Sequence, residues 1–451
     1  MSHHDLFIVL LVAVLVFGVN TLFWTIVGCS RLVIERVNLF LHGYRRRSYL
    51  PAFHGNRFIP GDVAIMIPAH NEEACLAETL KSAVALLPLS NIHVISDGSS
   101  DATVAIAKRW GVQVLDLNPN RGKAKAISDA IEHYQLAKRF KVMLLVDADT
   151  RLNPDYLETG LPLFDDPEIV AVAGWARGLW DPPPRTLLGR FLVSYRSRLY
   201  AVTQCLVKLG QAAKHANVVT IVPGFASMYR TDILEHINIT APGLVIEDFN
   251  MTFELHRKKL GRIAFHPFCA VAYTQDPDTL ADYYKQIQRW TLGYWQTVRL
   301  HGLRHWGKFW AMLTIQVIEL ISWATMLLTL PFVFAFSIYS QTLANTFGDP
   351  TIFDHPVVGW LTPWNVALGF VIPDMALTVI AAIALKRPYL LLLAPVFPIM
   401  RFVEAWVALR AIPPSRWRTQ DTGQWKSPTR RGSAAVDPGR HHLHAVDDDV
   451  A

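Results

Sequence analysis

The chain has 451 residues, 51% of them hydrophobic, and a mean hydropathy of +0.23. That is too apolar for an ordinary soluble protein and too polar for a bundle of membrane helices alone, so one polar domain with several spans is expected. The net charge of +6 would suit nucleic acid, but the cations gather beside the apolar segments, which points to anionic lipid headgroups and away from a nucleic-acid partner.

No charged residue lies between Asp5 and Arg31, and about 20 apolar residues suffice to cross roughly 30 Å of hydrocarbon. Residues 6–28 are therefore read as a transmembrane helix. A signal peptide fits less well, because the leader is not basic and the apolar run is too long. Residues 31–60 form a basic juxtamembrane linker. Its Arg31, Arg36 and Arg45 to Arg47 place the following domain in the cytoplasm by the positive-inside bias.

From 61 to 275 the pattern changes. Short β-type runs at 63–67, 92–96, 112–115, 142–146 and 169–173 alternate with helical patterns near 73–87, 101–109 and 123–138. Such alternation predicts an α/β domain with a mostly parallel sheet, whose ligands gather at the carboxyl ends of the strands. Asp97 falls at one such end, although Ser96-Asp97-Gly98-Ser99 is also favourable turn chemistry. Asp147 and Asp149 end the apolar run 142–146, where two hard oxygen ligands suit Mg²⁺ or Mn²⁺ shared with a diphosphate. Asn120-Arg-Gly-Lys123 opens a helical pattern; Lys123 is read either as a phosphate partner or as a solvated lysine. Glu247 and Asp248 precede the helical run 249–259. A cap is one reading; a general base is the sharper one, with Asp248 as the base and Glu247 supporting it.

Residues 276–308 are read as an amphipathic interfacial segment. If 279–298 is helical, Gln286, Arg289 and Trp290 share one face, beside an apolar stripe of Leu280, Tyr284, Ile287, Tyr294 and Val298. A similar stripe from Leu187 to Leu209 carries Arg185, Arg190, Arg196, Arg198 and Lys208 and is also expected at the bilayer surface. Trp290 is taken as a sugar-stacking residue, and Trp295, Trp306 and Trp310 as interfacial anchors. Residues 309–411 hold two to three membrane helices. In the third, 388–411, Arg401 and Glu404 are an ion pair facing protein, and the segment either spans or dips and returns. Cys29, Cys75, Cys205 and Cys269 show no metal-type spacing and are expected to be reduced and buried. Residues 412–451 read as a disordered tail in which His441, His442 and His444 are solvated.

Taken together, Ile67-Pro-Ala-His-Asn-Glu72, Ser96-Asp97-Gly98-Ser99, Asn120-Arg-Gly-Lys123, Asp147-Ala-Asp149, Glu247-Asp248 and Gln286-x-x-Arg289-Trp290 resemble the processive family-2 membrane glycosyltransferases, the group of cellulose, chitin, hyaluronan and poly-N-acetylglucosamine synthases. The resemblance implies a GT-A (Rossmann-like) domain and inverting, metal-dependent transfer from a UDP-sugar, UDP-glucose or UDP-N-acetylglucosamine, to a β-linked polysaccharide coupled to secretion. By matching position it implies that Ala69, Glu72 and Asp97 hold the uridine and Lys123 the donor phosphates. Asp147 and Asp149 would hold the donor with Mg²⁺ or Mn²⁺, Asp248 would act as base, and Gln286, Arg289 and Trp290 would border the acceptor and pyrophosphate. Ile246 stands where the third acidic motif of the family often has threonine. Two rival readings remain: transfer of one sugar to a lipid or lipid-linked acceptor, and a non-catalytic transporter or scaffold.

Overall fold

A computed structural model describes residues 3–41, 57–347, 362–413 and 431. Residues 42–56, half of the linker expected over 31–60, and most of the tail, including His441, His442 and His444, lie outside these residues.

The chain begins with α1 (His3–Phe17) and α2 (Val19–Leu41). The single span expected over 6–28 is thus divided at Gly18, whose φ of 78° suits glycine. A side chain there would press on Glu319. Glu319 Oε1 accepts the Asn20 N–H at 2.6 Å, which satisfies an orphan donor of the α2 N-terminus. Beyond the break, α2 seats on the α/β domain. Arg31 donates to the Leu209 carbonyl, and His266 Nε2 lies 3.0 Å from Glu35 Oε2. A Cβ on Gly28 would overlap the Leu206 carbonyl, and one on Gly210 the Trp24 carbonyl, so the two backbones touch through small residues. Gly28→Val should therefore overpack this contact and destabilise the protein by about 1–3 kcal/mol, read as a lower thermal midpoint in detergent.

The α/β domain contains β1 (Val63–Ala69), α3 (Leu76–Val84), β2 (Ile92–Asp97), α4 (Thr103–Arg109), β3 (Gln113–Leu117), α5 (Lys123–His133), β4 (Val142–Val146), β5 (Thr150–Leu152), β6 (Ile169–Ala173), β7 (Trp175–Gly178), α6 (Leu187–Val202), β8 (Ala226–Arg230), α7 (Glu247–Arg257), β9 (Arg262–Ala264) and β10 (Val271–Thr274). Seven strands form one sheet in the order β3-β2-β1-β4-β8-β6-β9, and β5-β10-β7 form a second. Only β8 runs against its neighbours in the larger sheet. Every residue of β1, β2 and β4 is buried, as expected of central strands covered by helices on both faces. The parallel strands β1, β2 and β4 bring their carboxyl ends, and with them Ala69, Asp97 and the loop after Val146, to one rim.

The chain then runs through α8 (Leu280–His301), α9 (Lys308–Phe347), α10 (Pro363–Leu385) and α11 (Phe397–Arg410). Two of these helices, α9 and α10, are long and apolar enough to cross a membrane. Lys308 Nζ donates to the His215 carbonyl at 2.7 Å, so α9 starts beside the α/β domain. Asn365, at the opposite end of the hairpin, donates to Asp5 Oδ1 at 2.8 Å, which sets α1 alongside α10. The segment after α10 begins and ends beside the α/β domain: Arg387 lies over the Trp180 ring at 5.0 Å, and the Ala408 carbonyl accepts from Trp295 Nε1–H at 3.1 Å. Its 14-residue helix α11 is about 21 Å long. The two ends of the 388–411 segment thus meet Trp180 of the α/β domain and Trp295 of α8. Arg431 lies on the same side, its backbone N–H donating to Gln275 Oε1 and its carbonyl accepting from Gln275 Nε2, each at 2.9 Å.

The expected interfacial stripes turn inward over much of their length, while Leu280, Leu187 and Leu188 at their amino-terminal ends are exposed. Ile287, Tyr294 and Val298 of α8, and Tyr195, Val202, Leu206 and Leu209 of the second stripe, are buried against protein. Trp295 and Trp310 are buried too, whereas Trp306 is exposed as an anchor would be. The reason is that α6 and α8 lie between the sheet and the apolar helices, so the inner part of each stripe meets protein. Three cysteines are buried as expected; Cys29 is exposed.

Candidate active site

A continuous cavity of about 1570 Å³ reaches from the strand ends of the α/β domain to the membrane helices. Lys123, Asp147, Asp149, Glu247, Asp248, Gln286, Arg289 and Trp290 all line it. Sequence separations of more than 160 residues thus collapse into one wall. Ala69, Glu72 and Asp97 lie behind that wall, each almost fully buried.

Asp97 ends β2 and spends both oxygens on backbone: Oδ1 accepts the Arg121 N–H at 2.7 Å and Oδ2 the Gly122 N–H at 2.8 Å. It thereby fixes the loop that launches α5. Gly122, with φ of 86°, makes the turn, and Lys123 follows as the first helical residue. Glu72 is fixed in turn by the Cys75 thiol, 3.1 Å from its Oε2, while its backbone N–H donates to Thr103 Oγ1 at 2.9 Å.

Lys123 Nζ sits 2.7 Å from Asp147 Oδ1 and 3.0 Å from Glu247 Oε1. A buried cation between two carboxylates is strongly held: burial alone would lower its proton affinity, yet the charges of Asp147, Glu247 and Asp248 raise the ammonium well above its ordinary range. Glu247, which burial alone would raise, is held below the usual carboxylate range by Lys123. Asp248 goes the other way. Burial first, then the neighbouring Glu247 charge, pushes its carboxyl up to about 8.

Glu247 and Asp248 form the first turn of α7, and the cap position is Ile246, which provides no side-chain cap. The capping reading of Asp248 therefore fails. Its Oδ2 accepts the Gly224 N–H at 2.7 Å, and a Cβ on Gly224 would overlap the carboxylate. Its Oδ1 is buried with no hydrogen-bond partner among the described residues. A buried carboxyl oxygen without a geometric partner in the cavity wall is free to meet a ligand.

Asp149 is buried and, with Asp147, flanks Ala148 at the β4 end. No group of three or more His, Cys, Asp and Glu side chains gathers into a metal site among the described residues. Two carboxylates fit a hard divalent ion whose other ligands come from phosphate and water, which is how Mg²⁺ is usually held.

Further charged side chains, expected from the sequence only as headgroup cations or as one ion pair, take other places in the structure. Lys208 closes a six-residue π-helical stretch, Thr203–Lys208, a local irregularity frequent at functional sites, and it lines the cavity. Burial lowers its ammonium to about 8 against the opposing pull of Asp248. At the membrane end, Asp374 Oδ1 receives two arginines, Arg198 at 2.7 Å and Arg401 at 3.2 Å. The expected Arg401–Glu404 pair is therefore not formed; Glu404 accepts instead from the Tyr195 and Tyr283 hydroxyls at 3.0 and 2.8 Å. The isolated charge of Asp374 in an apolar run was the available signal, but its partner on α6 was not.

The family pattern described as "Glycosyltransferase like family 2" matches residues 60–293. Over 259 residues the chain is 25% identical to a poly-beta-1,6-N-acetyl-D-glucosamine synthase of Staphylococcus epidermidis, covering 53% of this chain and 58% of that protein. It is 29% identical over 269 residues to the probable glycosyltransferase YdaM of Bacillus subtilis, covering 56% and 60%. The match thus spans under two thirds of the length of either relative. Among solved structures, the mannosyltransferase PcManGT from Pyrobaculum calidifontis, in complex with GDP-Man and Mn²⁺, aligns with a TM-score of 0.48 at 15% identity, covering 88% of this chain and all of that one.

Proposed function

The chain belongs to glycosyltransferase family 2, with the GT-A-like α/β fold, and from that premise we propose an inverting, metal-dependent membrane enzyme. It transfers glucose or N-acetylglucosamine from the UDP-sugar to a growing β-linked polysaccharide and passes the product between its own helices. The observation that carries this reading is the orphaned Asp248 Oδ1 in the wall of a cavity that continues to α9, α10 and α11. Pockets for one small ligand run to roughly 300–1,000 Å³, so 1570 Å³ leaves room for donor and acceptor together.

In the proposed reaction the acceptor hydroxyl gives its proton to Asp248 Oδ1 while its oxygen bonds to the anomeric carbon. The bond from that carbon to the diphosphate breaks, and UDP leaves with the electron pair. Asp147 and Asp149 would hold Mg²⁺ or Mn²⁺, which neutralises charge on the departing diphosphate. Lys123 places a second positive charge at the same edge, and Asp97 keeps that lysine in position through the loop it binds. Gln286, Arg289 and Trp290 border the acceptor, with Ala69 and Glu72 beside the uridine.

The membrane half of the cavity favours a neutral glycan over a phosphate-bearing lipid. Both arginines there, Arg198 and Arg401, already bind Asp374, and the other acid, Glu404, is engaged by tyrosines. A lipid phosphate would need a cation not already matched by a carboxylate. The test is UDP release from purified protein supplied with each UDP-sugar and Mg²⁺ or Mn²⁺, followed by product sizing. A ladder or long polymer, lost on chelation, is expected. A single-sugar lipid product would establish the non-processive alternative, and no UDP release with any sugar would leave only a binding protein.

A further inference from the structure

The strongest unassigned feature of the cavity is a buried arginine behind its acceptor end. Arg196 of α6 is 1% exposed, and a charge is kept at such depth only when its donors are matched. Its Nη2 donates to Gln286 Oε1 and to the Tyr200 hydroxyl, both at 3.0 Å. Its Nε faces Asp276 Oδ1 at 3.5 Å, and the Tyr200 hydroxyl donates to the same oxygen at 3.1 Å. The guanidinium carbon lies 4.3 Å from the centroid of the Trp290 ring, with Tyr200 at 5.0 Å and Tyr283 at 5.6 Å. One planar cation therefore ties together α6, α8 and the loop after β10.

We infer that Arg196 is a positioning residue for acceptor selection: it orients the amide of Gln286 and the indole of Trp290 toward the sugar that receives the new unit. The inference rests on the acceptor role proposed above for those two residues. Its physical content is geometric. A guanidinium presents a flat face to an indole and, from its edge, a fork of fixed N–H donors, whereas a lysine ammonium offers neither together. Asp276 keeps the charge in place, so Arg196→Lys preserves the ion pair while releasing the ring and the amide. The donor-side groups Lys123, Asp147 and Asp149 have no contact with Arg196 among these bonds, so the larger effect should fall on the acceptor.

The experiment compares the parent with Arg196→Lys and Tyr200→Phe, using UDP-sugar alone and UDP-sugar with short β-linked oligosaccharide acceptors. For Arg196→Lys the acceptor KM should rise about tenfold, which is the factor a 1.4 kcal/mol loss produces, and polymer length should fall. UDP release to water in the absence of acceptor, and the KM for UDP-sugar, should change much less than the acceptor KM. Tyr200→Phe keeps the arginine over the indole and should shift acceptor KM in the same direction by less. An unchanged acceptor KM in Arg196→Lys overturns the inference. So does an equal fall in acceptor-independent UDP release, or a protein that no longer folds while Tyr200→Phe matches the parent, since either result assigns Arg196 a purely structural part. A parent enzyme that releases no UDP with any sugar fails the proposed function itself, a separate outcome.

Discussion

Asp248→Asn should abolish sugar transfer while leaving UDP binding near its parent value. The substitution keeps an oxygen that can accept the Gly224 N–H, so the turn before α7 is retained and the cavity wall keeps its shape. What disappears is the proton acceptor. A positioned base is worth roughly 10²- to 10⁴-fold, and the neighbouring Glu247 is held as the partner of Lys123, so the loss should fall at the upper end. Calorimetric titration with UDP and a coupled UDP-release assay separate the two effects. Full turnover in the variant would remove Asp248 from the mechanism; loss of UDP binding by the same factor would assign it to the donor.

The same residue sets an expected pH dependence. In the free protein Asp248 holds its proton up to about 8, through burial and the Glu247 charge, against about 3.9 for an exposed aspartate. The base must be ionised to act, so kcat/KM should climb with pH through the free-enzyme value rather than plateau in the usual carboxylate range. Stability runs the other way. Between about 4 and about 8 the folded state binds this proton and the unfolded state does not. Its stabilising contribution is therefore present below the unfolded value and lost as pH rises through the folded one. Asp248→Asn lacks that loss, and its thermal midpoint relative to the parent should improve as pH is raised toward 8.

Legibility in the sequence followed the range over which each feature is determined. The strands β1, β2 and β4 and the acids that end them were readable, because an apolar run and the polar residue that stops it are local. The grouping of Lys123 with Asp147 and Glu247 was readable only as a resemblance, since nothing local to Lys123 distinguishes an ion-paired lysine from a solvated one. The break at Gly18 was not readable: residues 6–28 carry no charge, and the group that meets the new helix end is Glu319, 299 residues from Asn20. Arg196 and Arg198 were seen, but as headgroup cations. Their partners Asp276 and Asp374 lie 80 and 176 residues away, and a helix that is basic on one face looks the same whether that face meets lipid or carboxylates.

Asp374→Ala should be the most destabilising single change outside the catalytic wall. Asp374 is 2% exposed, it follows Pro373 inside α10, and its Oδ1 receives both Arg198 and Arg401. Forming such a cluster gains little net free energy, because desolvating three charges offsets most of their attraction. Removing the single acid is a different matter. It takes the shared carboxylate from two guanidiniums beside an apolar helix, and leaving a buried charge such as that of Arg198 without its acid costs about 3–5 kcal/mol. Arg198 would keep the Thr378 hydroxyl and the Asp374 carbonyl, each at 2.9 Å. Arg401 would keep the faces of Phe17 and Trp323, at 4.5 and 5.8 Å. Those contacts are too weak to replace a carboxylate, so the variant should fall in yield and unfold at lower temperature in detergent. Asp374→Asn, which still offers an oxygen, should lose less. The double change Asp374→Leu with Arg401→Leu should recover part of the deficit by removing one stranded charge along with the acid. If Asp374→Ala unfolds within about 0.5 kcal/mol of the parent, as an ordinary surface substitution would, then water or lipid headgroups already screen these arginines. The seam between α6, α10 and α11 would then be held by its apolar contacts alone.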